Sequence, residues 1–541
     1  MIKSRTKSAV PRRPGLHSQR QRSASGLHGG AHGPAAVRLE QVRDVLGEVL
    51  QWSGPADGVL SRWLRARREL GARDRAEVAE AVYDVVRHLR RYRQFAESGH
   101  GNSTRRLAVL GLAHTLGLPS LKPALTHDEV AWVQRVMAID AASLPPAIRY
   151  SVPDWLEQAL ADIDDADALF AALLQPAPLD IRVNPLKLDR ATLLDELQIN
   201  VEPAVDLKPS DKVEPSDRVE PSDKVEPFDN VDQSSQTQAI PQPQPEVQLQ
   251  PQGNRERRHD TDLRSHATQP SERLHATEQQ KHSLSTRSTE LHLRAEATPW
   301  SPWGVRIHGR PALNRWPRYL DGSIEVQDEG SQLLALLMAP RRGEMIIDFC
   351  AGAGGKTLLL GALMRSTGRL YAFDVAAGRL NRLTPRLARS GLSNVEPVVI
   401  AHENDARVKR LHGKARRVLV DAPCSGTGTL RRNPDIKWRQ HPQAIAELVA
   451  LQERILASAA RCVEPGGRLV YATCSLLPEE NEAQIEIFLK NHPNFALVPV
   501  SEVLADRTAL EMSGPYLKLR PDIHGTDGFF AAVFDRRVDA G

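Results

Sequence analysis

The sequence is poor in cysteine and has no long apolar run, and both shortages exclude classes of protein. Only four cysteines occur in 541 residues, without a paired short spacing, which argues against a disulfide scaffold or a zinc ribbon. A low cysteine content is typical of proteins in a reducing compartment, so we expect a cytoplasmic protein. No segment approaches the roughly 18 apolar residues of a membrane span. We therefore expect neither membrane insertion nor a metal site.

The first 38 residues lack acidic side chains altogether. They contain eight lysines and arginines among many serine, glycine, proline and histidine residues. Such a composition buries no core, so residues 1–38 are predicted to form a disordered basic tail. The tail fits either a targeting peptide or an arm that screens phosphates. Export is not expected, because the tail has no apolar segment of the kind found in secretory signals.

The length of the chain predicts several domains, and the first of them is helical. Residues 39–141 are predicted to form a helical domain. The apolar stripe of one helix consists of Val78, Val82, Val85, Val86 and Leu89. Arginines beside this stripe, at 87–93, and on an earlier helix, at 62–68, fit a solvated helix face and nucleic-acid binding equally well.

A composition break interrupts the next unit. Residues 201–300 contain six-residue Val-Glu-Pro-Ser-Asp-Lys/Arg repeats and a tract rich in glutamine and proline. Low hydrophobicity and regular proline predict a disordered insertion there, within a surface loop. We expect residues 145–200 and 301–340 to form one small α+β subdomain on either side of it. Residues 341–541 are predicted to form a further domain.

This last domain contains the pattern of a parallel sheet that binds a cofactor. A buried strand at 344–349 is followed by a glycine-rich turn at 350–357 and then by a helix. Glycines at a strand-to-helix turn let backbone N–H groups approach a ligand. The turn ends in Gly-Lys-Thr like a Walker A loop. However, Cys350 stands where that loop opens with glycine, so a nucleoside triphosphatase is not expected.

Acidic residues follow the next two strands. Asp374 ends the strand 369–373, where a carboxylate can hydrogen-bond the vicinal hydroxyls of a ribose. Both NAD and S-adenosylmethionine offer such hydroxyls, but the glycine pattern does not complete the dinucleotide-binding motif. The strand 394–400 precedes Asn404 and Asp405, whose side chains are candidates to meet an adenine amine.

Two cysteines follow the last two strands of this pattern. Cys424 and Cys474 each come after a short apolar strand, with a helix predicted over 442–463 between them. Because the carboxyl ends of parallel strands line one crevice, both sulfurs are predicted to face the same site. Two thiols there indicate covalent chemistry, with one nucleophile and one acid/base partner. Cys350 and Cys462 are instead predicted to be small buried hydrophobic residues.

Four segments together resemble one known family. They are Asp-Phe-Cys-Ala-Gly-Ala-Gly-Gly-Lys-Thr at 348–357, Asp-Ala-Pro-Cys-Ser-Gly-Thr-Gly at 421–428, Arg-Asn-Pro-Asp at 432–435 and Thr-Cys-Ser at 473–475. This set resembles the Sun family of RNA cytosine-5 methyltransferases, and within it the bacterial small-subunit ribosomal RNA enzymes. The strong resemblance covers 304–537 and a weaker one covers 39–200. One departure is Ala353, where the family commonly has proline.

The resemblance implies an α/β fold with a Rossmann-like, S-adenosylmethionine-dependent methyltransferase domain. It also implies an N-terminal all-α, NusB-like domain that binds RNA, and a small α+β pre-catalytic subdomain. The implied reaction is methylation of C5 of a cytosine in small-subunit ribosomal RNA, through a covalent bond between a cysteine and C6. We expect the protein to be a monomer.

The resemblance also implies roles for individual residues. The cofactor would be held by Cys350, Ala351, Gly352, Ala353, Gly354, Gly355, Lys356, Asp374, Arg379, Asp405 and Asp421. Cys474 is the implied nucleophile, and Cys424 is implied to help product release. Asp421 is a further candidate catalytic residue, whose alternative role is to cap the loop that follows it.

Two other hypotheses are compatible with parts of the sequence. A ribosome-assembly RNA-binding protein with a vestigial methylase fold would have a damaged site, whereas every expected residue is present. A DNA cytosine methyltransferase would attack with the Pro-Cys thiol, Cys424, and would leave Cys474 without a task. Another RNA, such as tRNA, is an alternative substrate of the same chemistry.

Overall fold

The structure, a computed structural model, describes residues 33–199, 294–309 and 311–538. Most of the predicted tail and most of the predicted insertion lie outside these residues. Among the helices that are described, none is both long and apolar enough to cross a membrane.

Two predicted boundaries are wrong. The tail does not extend to residue 38, because the first helix begins at Pro34 and buries Arg38, whose guanidinium pairs with Asp74 and Glu77. The insertion does not extend to residue 300, because Ala295–Ala297 form a strand. In both places a short segment next to a low-complexity stretch takes up a defined structure through partners distant in sequence, Asp74 and Glu77 for Arg38 and strand 304–307 for Ala295–Ala297.

The N-terminal part of the chain is all-helical. Its helices are α1 (Pro34–Val49), α2 (Ala56–Arg65), α3 (Ala72–Arg87), α4 (Leu89–Glu97), α5 (Ser103–Thr115), α6 (Leu118–Leu121), α7 (His127–Met137), α8 (Pro146–Arg149), α9 (Asp154–Ala159) and α10 (Ala166–Leu173). Helices α1 to α7 share one apolar core. The predicted stripe lies in this core, but His88 divides it, so that Leu89 begins α4. Gly111 lets α5 approach α3, because a Cβ there would lie 2.5 Å from Val85 Cγ2.

Asp84 ties three of these helices together. Its carboxylate accepts hydrogen bonds from His88 Nδ1 at 3.1 Å, His114 Nδ1 at 2.7 Å and the Tyr92 hydroxyl at 2.7 Å. Burial raises the pKa of Asp84, but the bonds from the two histidines outweigh it and hold that pKa well below its ordinary value. Among the described residues, Asp84, His88 and His114 form the one group with metal-ligand spacing. Three donors already satisfy the carboxylate, so we interpret the group as a structural tie.

A small antiparallel sheet follows. Its strands are β1 (Leu179–Val183), β2 (Ala295–Ala297), β3 (Gly304–Ile307) and β4 (Ile324–Val326), in the order β2-β3-β1-β4, with α11 (Arg190–Ile199) and α12 (Pro317–Leu320) beside them. Strand β1 precedes the insertion and β3 follows it, and the two pair with Leu179 opposite Ile307. The chain on the two sides of the insertion therefore forms one folded unit.

The C-terminal domain alternates strands and helices. Its strands are β5 (Met345–Asp348), β6 (Arg369–Asp374), β7 (Val395–Val399), β8 (Ala415–Asp421), β9 (Val463–Thr473), β10 (Phe495–Val498), β11 (Leu517–Leu519) and β12 (Phe529–Arg536). Its helices are α13 (Glu329–Leu337), α14 (Gly355–Leu363), α15 (Ala377–Ser390), α16 (Ala406–Lys409), α17 (Ile436–Arg439), α18 (Pro442–Cys462), α19 (Glu482–Asn491), α20 (Val500–Leu504) and α21 (Pro521–His524). Short 3-10 turns lie at Lys122–Ala124, Ala141–Ser143, Leu313–Arg315, Thr427–Thr429 and Pro478–Glu480.

These strands form one mixed sheet in the order β10-β12-β9-β8-β5-β6-β7, with β11 paired to β12. Strands β5 to β9 run parallel, and β12 is antiparallel to β9. The short apolar sequences of β5 and β8 are buried because helices cover both faces of the sheet. The predicted fold class, a Rossmann-like domain with an all-α N-terminal part and a small α+β subdomain, is confirmed.

The segment around α17 joins the helical part to the C-terminal domain. The Asp435 carboxylate accepts a hydrogen bond from the backbone N–H of Ala56 at 3.1 Å, at the start of α2. At the end of α3, Lys437 Nζ donates to the carbonyl of Arg87 at 2.9 Å, and Trp438 Nε1 donates to the preceding carbonyl at 2.8 Å. Helix ends lack intrahelical partners for these groups, so the segment completes two helix termini.

Two of the arginines beside the predicted stripe belong to contacts between parts of the chain. Arg87 is buried and donates to the carbonyl of Arg431 at 3.1 Å. Arg90 donates to the carbonyl of Val152 at 2.5 Å and pairs with Asp154. The burial of Arg87 fits neither interpretation of this arginine cluster, since both a solvated helix face and a nucleic-acid-binding surface require an exposed side chain.

Replacing Asp84 with alanine tests the three-helix tie. His88 and Tyr92 would remain as buried donors without their acceptor, and each unsatisfied group costs about 1–3 kcal/mol. We expect the variant to lose on the order of 3 kcal/mol of the free energy of unfolding, measured by urea denaturation with circular dichroism. Asp128→Ala, an exposed change in the first turn of α7, is the control and should lose less than about 1 kcal/mol. Equal stability of the two variants would contradict this role of Asp84.

Candidate active site

The two predicted thiols meet at the carboxyl edge of the parallel sheet. Cys424 follows β8, Cys474 follows β9, and their Sγ atoms lie 3.3 Å apart. Cys424 is fully buried, whereas Cys474 is 7% exposed. Of the two residues, Cys474 is therefore the one that retains some exposure to solvent.

Backbone contacts hold the two cysteine loops against each other. The N–H of Gly428 donates to the carbonyl of Cys474 at 2.9 Å, and the N–H of Leu476 donates to the Thr427 hydroxyl at 2.9 Å. A third loop joins them, because the N–H of Gly528 donates to the carbonyl of Gly428 at 2.8 Å. A Cβ on Gly428 would lie 2.1 Å from the Gly528 oxygen, so this close approach requires glycine.

The glycine-rich turn lies between β5 and α14. Gly354 is the N-cap of α14 with φ +85°, and a Cβ on it would lie 2.2 Å from Leu383 Cδ1. The N–H of Ala351 donates to the carbonyl of Phe373 at 2.8 Å, and that of Gly352 donates to Asp374 Oδ2 at 2.9 Å. The turn is thus fixed to the end of β6, with the N-terminus of α14 at its far end.

Asp374, the last residue of β6, is almost fully buried. Besides Gly352, it binds the N–H of Ala376 at 2.7 Å through Oδ1, and Arg379 Nε lies 3.6 Å from the same oxygen. A carboxylate has about four acceptor positions, so these bonds leave capacity for a ligand. Three predicted cofactor residues, Gly352, Asp374 and Arg379, therefore lie together.

Asp405 caps a short helix near the same edge. Its carboxylate accepts hydrogen bonds from the N–H groups of Ala401 at 2.9 Å and Arg407 at 2.8 Å, at the start of α16. These bonds hold the pKa of Asp405 below its ordinary value. Asn404, the other residue predicted to meet an adenine, instead accepts a hydrogen bond from Arg461 of α18.

Lys356 and Asp421 form an ion pair beside the thiols. Lys356 Nζ lies 2.7 Å from Asp421 Oδ2, and both side chains are largely buried. Burial lowers the pKa of Lys356, but attraction to Asp421 and Cys474 outweighs it, so the pKa lies above its ordinary value. Lys356 thus places a positive charge close to Cys474.

Cys424 has no exposed surface, and a carboxylate acts on it instead of an ammonium group. Burial raises its pKa well above the ordinary value, and both the hydrogen bond with Cys474 and the negative charge of Glu480 act in the same direction. The two thiols therefore differ in exposure and in the charge that faces each of them.

The other two cysteines lie in different surroundings. Cys350 is partly buried in the turn after β5, and burial followed by the charge of Asp374 raises its pKa well above the ordinary value. Cys462 is fully buried at the end of α18, and burial raises its pKa to about 12. High pKa values and burial make both thiols poor nucleophiles.

Some buried polar residues at the site were not singled out by the sequence pattern. Asp348 ends β5, accepts a hydrogen bond from the Thr357 hydroxyl at 2.7 Å and has its pKa raised to about 7 by burial. Glu480 is fully buried and binds residues of both cysteine loops. It stands in a Pro-Glu-Glu sequence typical of a solvated helix start, so only its burial distinguishes it from Glu479.

Comparisons with known proteins connect this site to one family. Residues 335–535 match the family model of the 16S rRNA methyltransferase RsmB/F. The probable ribosomal RNA small subunit methyltransferase B of Synechocystis sp. is 38% identical over 244 residues, 45% of this chain and 54% of that protein. The ribosomal RNA small subunit methyltransferase B of Pasteurella multocida is 40% identical over 266 residues, 48% of this chain and 58% of that protein. The chain thus spans somewhat more than half the length of these relatives.

A solved structure shares the architecture over most of the chain. The crystal structure of PH0851 superimposes with a TM-score of 0.63 at 22% identity, covering 94% of this chain and 100% of that chain. At this identity the likeness shows the fold alone. Residues 335–535 are thus similar to the RsmB/F methyltransferases, in agreement with the resemblance that the sequence motifs indicated.

Proposed function

We propose that this protein methylates C5 of a cytosine in small-subunit ribosomal RNA, with Cys474 as the attacking nucleophile. The observation that carries the proposal is the pair of thiols, 3.3 Å apart at the carboxyl edge of a sheet whose domain matches the RsmB/F methyltransferase model. The names of the relatives support ribosomal RNA as the substrate. We also infer that the protein acts in the cytoplasm and as a monomer.

S-adenosylmethionine is the proposed methyl donor and supplies an electrophilic methyl group when bound. The chemistry of the side chains present fits this cofactor. The turn at 350–356 offers backbone N–H groups near the start of α14, and Asp374 keeps acceptor capacity for ribose hydroxyls. Arg379 supports Asp374, and Asp405 and Asp421 complete the proposed contacts.

The chemistry of cytosine requires a nucleophile on the protein. C5 alone is not nucleophilic enough to take a methyl group. Addition of the Cys474 thiolate to C6 makes C5 enamine-like, and C5 can then accept the methyl group. Lys356 lies beside the attacking residue and carries a positive charge there.

Release of the product needs a second step. The Cys424 thiol gives its proton to the departing Cys474 sulfur as the S–C6 bond breaks. The Cys424 sulfur takes up the C5 proton in exchange, so the electron pair of the C5–H bond re-forms the C5=C6 double bond. Cys424 is assigned to this step, because its sulfur lies against that of Cys474 and its raised pKa keeps it as a thiol. A protonated thiol in that place can donate to the departing sulfur.

Replacing Cys474 with alanine should abolish methyl transfer and leave cofactor affinity nearly unchanged, because the change removes the nucleophile and not the cofactor turn. Methyl incorporation into small-subunit ribosomal RNA and calorimetry with S-adenosylmethionine measure the two effects. Cys462→Ala, which removes a buried thiol outside the site, should keep most of the activity. Substantial methylation by Cys474→Ala would refute the assignment.

Replacing Cys424 with alanine should permit one methyl transfer but block release. The product would stay joined to the protein through C6 and appear as an RNA-linked band on a denaturing gel. The double variant Cys424→Ala/Cys474→Ala should lose the band, since no nucleophile remains. A band from Cys474→Ala but not from Cys424→Ala would reverse the two roles.

Replacing Asp374 with alanine should weaken binding of S-adenosylmethionine by about 1.5–3 kcal/mol, through loss of charge-assisted hydrogen bonds to the ribose. Asp374→Asn keeps the volume and an acceptor oxygen, so it should weaken binding less. Calorimetry measures the affinity, and circular dichroism verifies the fold. Unchanged affinity in the folded alanine variant would remove Asp374 from the cofactor site.

A further inference from the structure

Glu480 is a buried carboxylate to which the structure brings four hydrogen-bond donors. Its Oε1 accepts from the N–H of Ser425 at 2.8 Å and from Gln452 Nε2 at 2.9 Å. Its Oε2 accepts from the hydroxyls of Ser425 and Ser475. Four donors match the acceptor capacity of an ionised carboxylate. The surroundings of Glu480 thus fit a negative charge, although burial raises its pKa.

The location of these donors links Glu480 to the thiols. Ser425 directly follows Cys424, and Ser475 directly follows Cys474. One carboxylate therefore holds the residue next to each sulfur, and the two serine hydroxyls also contact each other at 3.1 Å. Since both loops leave the ends of their strands at this point, the tie limits how far the two sulfurs can separate.

The charges around the two thiols differ in sign. Cys424 is faced by Glu480, by Cys474 and by the Tyr471 side chain, whose hydroxyl donates to the backbone carbonyl of Glu480 at 2.7 Å. Cys474 instead has the Lys356 ammonium nearby. The negative charge of Glu480 disfavours the thiolate form of Cys424.

We propose that Glu480 is a positioning residue that holds the two cysteine loops together and keeps Cys424 in its thiol form, so that Cys474 is the sulfur that attacks. Its role in turnover rests on the proposed function, since it presumes that Cys474 is the nucleophile. Its effect on Cys424 does not, because that effect concerns the ionisation of the protein alone.

The test compares Glu480→Gln with Glu479→Gln, an exposed neighbour that undergoes the same chemical change. The ultraviolet absorbance of thiolate is followed during a pH titration of each full-length variant. Subtracting the titration of the same variant carrying Cys424→Ala isolates the Cys424 signal. Because absorbance needs no reagent, the burial of this thiol does not prevent the measurement.

In Glu480→Gln the Cys424 thiolate should form at a lower pH, so at any fixed pH below the midpoint its fraction should exceed that in the parent protein. Glu479→Gln should titrate like the parent protein. If Glu480 had only a structural role, the Cys424 thiolate would form at the same pH in Glu480→Gln as in the parent protein. An unchanged titration curve in a folded Glu480→Gln variant therefore overturns the proposal.

Ser425→Ala provides a second test if Glu480→Gln does not fold. This change removes the hydrogen bond from the Ser425 hydroxyl to Glu480 but keeps the negative charge of Glu480. The Cys424 thiolate should therefore form at nearly the same pH as in the parent protein. If methylation occurs as proposed, kcat should fall at least tenfold with unchanged affinity for S-adenosylmethionine. An unchanged kcat overturns the positioning role. Absence of methylation in the parent protein would count against the proposed function, and the titrations would still decide the effect of Glu480.

Discussion

Parallel pairing of β8 with β9 is the constraint on which the candidate site depends. The register sets Asp421 opposite Ala472 near the ends of the two strands, and a loop with a cysteine follows each strand. Because a parallel pair directs both strand ends to one edge, thiols 50 residues apart in sequence meet at 3.3 Å. Helices cover both faces of the sheet, so a shift of register would disrupt the packing of the core. The burial that stabilises the domain also fixes the position of the chemistry.

Buried charges then distinguish two thiols that share one location. Lys356 pairs with Asp421 and acts on Cys474, whereas the charge of Glu480, which holds the residue after each cysteine, raises the pKa of Cys424 in addition to the effect of burial. Each charge is held by partners inside the fold, so neither reorganises as water would. Since like and unlike charges shift ionisation in opposite directions, the arrangement can give two chemically identical side chains different tasks.

The short segment around α17 is one of the contacts between the helical part of the chain and the same region. The α17 segment begins about ten residues after Cys424, and its side chains complete the ends of α2 and α3. Helix termini carry backbone groups that need partners, so this contact has a defined direction and position. If the helical part binds the proposed RNA, this contact helps to fix the position of the helical part relative to the two thiols.

The sequence by itself determined strands β5 to β9 of the C-terminal domain, because apolar runs, the glycine turn and the acidic strand ends are local signals. It also determined that Cys424 and Cys474 share an edge, since that follows from parallel pairing. Tertiary structure alone decided three features of the helical part: where α1 begins, that the apolar stripe is divided at His88, and that Arg87 is buried. The same holds for Glu480, because a glutamate after a proline looks like a solvated residue until two loops close around it. Local sequence patterns indicate the secondary structure that a segment prefers, whereas the burial of a charged side chain depends on partners that are distant in sequence.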